Sequence, residues 1–259
     1  MKTRLLKMEE LKKYKDYVWT EINIGCSDTC VFEISNENEI LFVKVGKSGM
    51  LSKEHYNLKK LINYLNVPKV VFYYNQDVEI LITTKMAGKM SCDDEFIDFF
   101  PDRTISILCE AIKEIQSVQL DSKLQHDFQT FYIEEEIEKI KDRLDSGELI
   151  NLPDKKVFDR FKNINEVVSY LENNKPEGDF YLSHGDVSMP NVFIQGNNLS
   201  GFIDVGNTGI RQKWYDITDA YISIRRNFES QAASDEFLKK LGIQDKRPIE
   251  YYEMLIYLS

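Results

Sequence analysis

Two acidic side chains and one amide, spaced along an irregular stretch, are the residues of this chain best suited to chemistry. Ser183-His184-Gly185-Asp186-Val187-Ser188-Met189-Pro190-Asn191 is followed by Asp204, inside Phe202-Ile203-Asp204-Val205-Gly206. Short apolar runs flank these polar tips, so buried strands would fix the backbone while the tips share one edge. Hard oxygen ligands of this kind suit Mg²⁺, which takes one or two protein carboxylates and fills its octahedron with phosphate and water. The alternative is that Asp186 and Asp204 are turn residues bonding their own backbone. The joint spacing of Asp186, Asn191 and Asp204 is what argues for a shared site.

The elements that must position them change character along the chain. Glu21 to Ile24, Thr29 to Ile34 and Ile40 to Val45 read as strands, separated by turn-forming Gly25-Cys26-Ser27-Asp28 and Ser35-Asn36-Glu37-Asn38. Leu51 to Leu65 carries Leu58, Leu61, Ile62 and Leu65 at helical spacing and stops before Pro68. Lys69 to Tyr74 and Glu79 to Thr84 return to strand. Beyond Lys85 the period turns helical. Ser91 and Asp102 are candidate caps, and helices are expected over Phe131 to Leu144, Ile164 to Leu171, Lys213 to Asn227, Ser234 to Leu241 and Pro248 to Leu258. The expected class is α+β and bilobal. A small antiparallel sheet with one helix (1–85) precedes a larger, mainly helical lobe (86–259), with a hinge near Lys85 to Lys89.

Composition narrows the function. The chain has 259 residues, 33 basic against 43 acidic side chains and a net charge of -10. No surplus of Lys and Arg is left to neutralise phosphates, which argues against a nucleic-acid partner. No apolar run reaches the roughly 18 to 20 residues that span a bilayer, and no membrane role is expected. Cys26, Cys30, Cys92 and Cys109 complete neither a disulfide framework nor a zinc site. Ordinary thiols in a reducing cytoplasm are the expectation.

Asp, Asn five residues on, then Asp-x-Gly follows the catalytic-loop and metal-loop logic of kinase-type phosphoryl transfer. His184-Gly185-Asp186, Asn191, the run Ser200-Gly201-Phe202-Ile203-Asp204-Val205-Gly206 and Lys213-Trp214-Tyr215-Asp216 closely resemble the aminoglycoside phosphotransferases, nearest to the 3'-phosphotransferase branch. The resemblance covers the chain from about Thr20 to the last helix. It implies a protein-kinase-like fold and transfer of the ATP γ-phosphate, with GTP as a possible donor, to an antibiotic hydroxyl. Asp186 would orient that hydroxyl and accept its proton. Asn191 and Asp204 would hold Mg²⁺, while His184 and Asp216 would brace the loop.

In the first lobe, Lys44 lies in the alternating strand Leu41-Phe42-Val43-Lys44-Val45. Glu54 shares a helix face with Leu58, Leu61 and Leu65, where a carboxylate needs a cationic partner. A kinase-like lobe supplies Lys44 for that pair, which meets the α- and β-phosphates. A first-turn Glu favoured by the helix dipole is the competing reading. By family position, Ser27 in its hairpin turn would meet phosphate and Phe42 would stack on adenine. The Thr84 carbonyl and Met86 amide would read the adenine edge.

The acceptor side departs from the family. The resemblance implies a small, hydroxylated, cationic acceptor, and relatives often carry acidic residues near the C-terminus. This chain ends Leu255-Ile256-Tyr257-Leu258-Ser259, and Lys155, Lys156 and Arg226 stand where acids are expected. Asp154, Asp159, Glu229, Glu253 and the Ser259 carboxylate are the remaining candidates. A kinase of another small hydroxylated compound, and a nucleotide-binding module without turnover, are the alternatives. The chain is expected to be a monomer or weak dimer.

Overall fold

Leu41, Val43 and Val45 are buried while Phe42 and Lys44 between them are half-buried, the period-two signature of a strand with one face on a core. That strand belongs to the first of two compact units, Met1–Ala87 with Gly201–Gly206; the second is Gly88–Ser200 with Asn207–Ser259. The computed structural model describes residues 5–6, 8–22 and 29–259.

The first unit holds β1 (Val18–Ile22), β2 (Cys30–Ser35), β3 (Ile40–Gly46), β4 (Val70–Asn75) and β5 (Glu79–Thr84) in one antiparallel sheet, ordered β1-β2-β3-β5-β4. Asn36 shapes the β2–β3 turn, its Oδ1 accepting the N–H groups of Asn38 and Glu39 at 2.8 and 2.9 Å. Leu11, Phe32, Ile34, Leu41, Val43, Ile80 and Ile82 form the core on one face, closed by a 3₁₀ segment at Glu9–Tyr14 that the sequence did not signal. The helix α1 spans Ser52–Leu61, ending a turn before the expected Leu65.

The second unit contains α2 (Pro101–Ser117), α3 (Ser122–Asp127), α4 (Ile133–Asp145), α5 (Ile164–Asn173), α6 (Trp214–Asn227), α7 (Gln231–Lys240) and α8 (Arg247–Leu258). Its short strands are β6 (Lys89–Met90), β7 (Phe180–Ser183), β8 (Val192–Gln195), β9 (Asn198–Phe202, the last two residues in the first unit) and β10 (Gly209–Gln212). Strand β7 pairs antiparallel with β10, and β6-β8-β9 form a three-stranded sheet. Two cap assignments differ from expectation. Ser91 starts no α-helix; it is buried and donates its Oγ to the Met189 carbonyl at 2.8 Å. Pro101 takes the first helical position of α2, which puts Asp102 inside the first turn. Asp121, by contrast, caps α3 by accepting Leu124 N–H at 2.8 Å.

Among the described residues, Cys30, Cys92 and Cys109 are free thiols, and no helix is long and apolar enough to cross a membrane.

Candidate active site

In the first unit, β3 and α1 bring Lys44 and Glu54 together. Lys44 Nζ donates to both Glu54 carboxylate oxygens at 2.7 and 2.9 Å and lies 3.5 Å from Asp204 Oδ1. The lysine and glutamate side chains are only 24% and 10% exposed. Burial alone would pull the Lys44 ammonium down, but the charges of Glu54 and Asp204 outweigh it and hold the group above its ordinary range. Burial lifts the Glu54 carboxyl, and Lys44 offsets part of that rise. The register of Glu54 is set from behind: buried Glu79 accepts the Leu51 N–H at 2.6 Å where α1 begins.

Asp204 has an exposed side chain and a left-handed backbone, φ 57°. That conformation costs an L-residue on the order of 1–2 kcal/mol, so the surroundings must impose it. Asn57, one turn beyond Glu54 on α1, donates to the Val205 and Gly206 carbonyls at 2.8 and 3.2 Å. On the other side of Asp204, Phe202 N–H donates to the Asn66 carbonyl at 2.9 Å. Neither asparagine was singled out by sequence; a buried Asn on the Glu54 face was the available sign. Phe42 is half-buried two residues before Lys44, on the same sheet face. Thr84 is half-buried at the end of β5, and Met86 is buried with its Sδ near Asn66 Nδ2. Ser27 lies outside the described residues.

The second unit carries the His184–Asn191 loop, anchored on α6. Buried Asp216 accepts Ser183 Oγ at 2.7 Å, His184 N–H at 2.9 Å and Gly185 N–H at 3.1 Å. His184 is buried, its backbone engaged on Asp216 and, at 3.4 Å, on Thr208 Oγ1. Gly185 turns the chain at φ 81°, and a Cβ there would come within 2.2 Å of the Asn207 carbonyl oxygen. A side chain at this position is sterically excluded. Asn191 explains its own spacing: Nδ2 reaches back to the Asp186 carbonyl at 3.1 Å and Ser188 Oγ at 3.2 Å. The amide oxygen, Oδ1, takes no part in these two bonds. Asp186 is half-buried between these anchors. Among the described residues no three His, Cys, Asp or Glu side chains gather as a metal cage.

This geometry has counterparts. The model of the phosphotransferase enzyme family matches residues 23–252. The chain belongs to that family. It is 28% identical over 254 residues to an aminoglycoside 3'-phosphotransferase from Enterococcus faecalis, covering 95% of this chain and 94% of the relative. A solved type VIII aminoglycoside 3'-phosphotransferase matches with a TM-score of 0.75 at 18% identity, over 99% of this chain and 98% of that one. An aminoglycoside phosphotransferase from Streptomyces rimosus, solved with ADP and streptomycin, matches at 0.69 and 18% identity, over 97% and 99%. The phosphotransferase fold is therefore shared across nearly the whole length.

Of the carboxylates expected near an acceptor, Glu253 is already engaged. It is 6% exposed and paired with Arg225, which links α8 to α6. Asp154, Asp159 and Glu229 are exposed, as is Ser259. Helix α8 is buried nearly all round, with Tyr251 hydroxyl on the Leu171 carbonyl and Arg143 on the Leu258 carbonyl, 2.8 and 2.7 Å.

Proposed function

We propose that this chain transfers the γ-phosphoryl group of ATP to a hydroxyl of an aminoglycoside, the 3'-hydroxyl by likeness to the Enterococcus relative, and thereby confers resistance. The observation that carries this reading is the Lys44 ammonium held between Glu54 and Asp204. A buried ion pair beside an exposed carboxylate is poor material for stability and good material for a triphosphate.

Phosphoryl transfer has a loose transition state, so positioning and charge do most of the catalysis. In this reading residues 1–85 hold the nucleotide, ATP or GTP, and 86–259 the acceptor. Lys44 steadies the α- and β-phosphates, and Glu54 keeps its ammonium aimed. Ser27, Phe42, the Thr84 carbonyl and the Met86 amide hold the rest of the nucleotide. Asn191 Oδ1 and the Asp204 carboxylate are hard oxygen donors that fit Mg²⁺, a cation content with few protein ligands. When bound, Mg²⁺ neutralises charge on the β- and γ-phosphate oxygens. Asp186 orients the acceptor hydroxyl and takes its proton as the new O–P bond forms and ADP leaves. A reaction that consumes ATP fits the cytoplasm, and the proposed enzyme is a monomer or weak dimer.

One observation favours a second acceptor class, another small hydroxylated compound: Glu253 is tied up by Arg225, so fewer carboxylates face a polycation. Acceptor-dependent ADP release across aminoglycosides and other alcohols decides between the two, and phosphorus-coupled NMR of the product fixes the position. Asp186→Asn should cut turnover about 10²- to 10⁴-fold with the nucleotide affinity nearly unchanged. Near-native turnover in that variant would remove Asp186 from the chemistry.

A further inference from the structure

Arg211 on β10 is buried, yet no carboxylate pairs with it among the described residues. Rings take the counterion's place. Its guanidinium carbon lies 3.8 Å from the Phe131 ring centre and 4.7 Å from that of Tyr215. The fold delivers both rings. Residues 129–131 run along β10, with Phe131 N–H on the Ile210 carbonyl at 2.9 Å and Ile210 N–H on the Gln129 carbonyl at 2.8 Å. Gly209 leaves room for the Phe131 ring, which a Cβ there would approach to 2.4 Å. Tyr215 lies in the first turn of α6, beside Asp216. A guanidinium held against aromatic faces is fixed in plane and direction.

Both hydrogen bonds leave through one nitrogen. Arg211 Nη1 donates to the Asn207 carbonyl at 3.0 Å and, more weakly, to Ser183 Oγ at 3.4 Å. These acceptors flank the Gly185 turn. The Asn207 carbonyl oxygen is the atom that a Cβ on Gly185 would strike. Ser183 Oγ in turn donates to Asp216 Oδ1, the same oxygen that takes the Gly185 N–H. Arg211 therefore ties the wall that Gly185 packs on to the anchor that holds its N–H, and Asp186 is the next residue. Stability alone does not call for a charge here. A buried cation without a carboxylate keeps much of its desolvation cost, and an apolar side chain of similar volume would fill the space. What an apolar side chain lacks is a fixed donor.

We propose that Arg211 is a positioning residue for Asp186: clamped between Phe131 and Tyr215, its guanidinium sets the spacing of Ser183 and Asn207 across the Gly185 turn, and so the direction in which Asp186 meets the acceptor hydroxyl. Lysine is no substitute. Its ammonium is a point charge without the planar fork, so it would neither lie against both rings nor hold two acceptors in one geometry. A misdirected base costs turnover and leaves the nucleotide contacts in place.

The inference rests on the kinase reading, and the test separates the two. Arg211→Met keeps the stem between the rings and removes the donors. Per folded molecule, its kcat should fall about tenfold, with the ATP and acceptor KM values within about twofold of wild type. Arg211→Lys should recover less than half of that loss. Phe131→Leu opens one side of the clamp and leaves the charge. It should lose about threefold alone and nothing further when added to Arg211→Met, because both act through one guanidinium. A merely structural role would lower the folded fraction and leave kcat per folded molecule unchanged. That result, a Lys variant as fast as wild type, or additive losses in the double variant would overturn the proposal. Hydrogen exchange needs no turnover. In Arg211→Met the His184 and Gly185 N–H groups, both held on Asp216, should exchange about tenfold faster, while the amides of α8 keep their wild-type rates. Equal exchange at His184 and Gly185 in the two proteins also overturns it. Wild-type protein that phosphorylates nothing sinks the kinase reading alone, leaving exchange to judge Arg211.

Discussion

Lys44 Nζ lies 3.5 Å from Asp204 Oδ1, and that aspartate is held in the left-handed region at φ 57°. Burial and backbone strain thus converge on one ammonium. Glu54 fixes it from the helix side and Asp204 from the returning chain. Neither carboxylate is placed where stability alone would put it, which makes the trio separable by experiment.

The Lys44–Glu54 pair should show this first. Removing one partner of a largely buried pair strands the other, so Lys44→Met or Glu54→Leu should each destabilise, by about 1–3 kcal/mol given the partial exposure. Replacing both, Lys44→Met with Glu54→Leu, should restore most of that loss, because apolar packing substitutes for a buried ion pair at little cost. ATP binding should stay abolished in all three. Urea unfolding with nucleotide calorimetry reads both quantities; an additive double variant would mean the pair is not coupled.

For Asp204 the backbone and the carboxylate can be tested apart. Asp204→Gly tolerates φ 57° and should unfold within about 1 kcal/mol of wild type, whereas β-branched Asp204→Val should cost about 2 kcal/mol more. Both should lose the Mg²⁺-dependent part of ATP affinity. ATP titrations with and without Mg²⁺ check this, and an unchanged Mg²⁺ requirement would exclude Asp204 as a ligand.

The sequence exposed the residues whose signal is local. Glu54 was legible because helical periodicity put a carboxylate among leucines, and Asp186 with Asn191 because one loop spans both. Asn57 and Glu79 were not, since each serves a backbone group distant in the chain: the Val205 and Gly206 carbonyls, and the Leu51 N–H. A polar side chain carries no period that announces such a partner. Strand β10 escaped for a related reason. Gly209-Ile210-Arg211-Gln212 has one aliphatic residue, and its pairing with β7 and with residues 129–131 comes from the fold.

Gly185 offers a steric test of the loop. Any Cβ would sit 2.2 Å from the Asn207 carbonyl oxygen at φ 81°. Since backbone meets backbone, neither side can yield by a rotamer change. Gly185→Ala should cost at least about 2 kcal/mol and lower kcat more than tenfold while leaving the ATP KM within about twofold. Thermal unfolding and steady-state kinetics together decide it: a variant with normal kcat and normal stability would mean the loop does not need this turn.

The last helix separates packing from charge. Leu258 is fully buried in the cluster that also holds Ile140 and Leu171, and its carbonyl accepts from Arg143. Deleting Leu258 and Ser259 together would therefore remove core, and a loss of about 2–5 kcal/mol is expected from the leucine alone. Such a variant cannot report on the acceptor. Ser259 by itself is exposed and bonded only to the Leu255 carbonyl through its N–H and Oγ. Ser259→Lys leaves the core intact and sets a positive charge at the end of α8. If this end of the helix meets an ammonium group of the acceptor, the acceptor KM should rise about three- to tenfold, the ATP KM should hold, and added salt should narrow the difference. Equal changes in the two KM values, or none in the acceptor's, would place Ser259 outside the acceptor site.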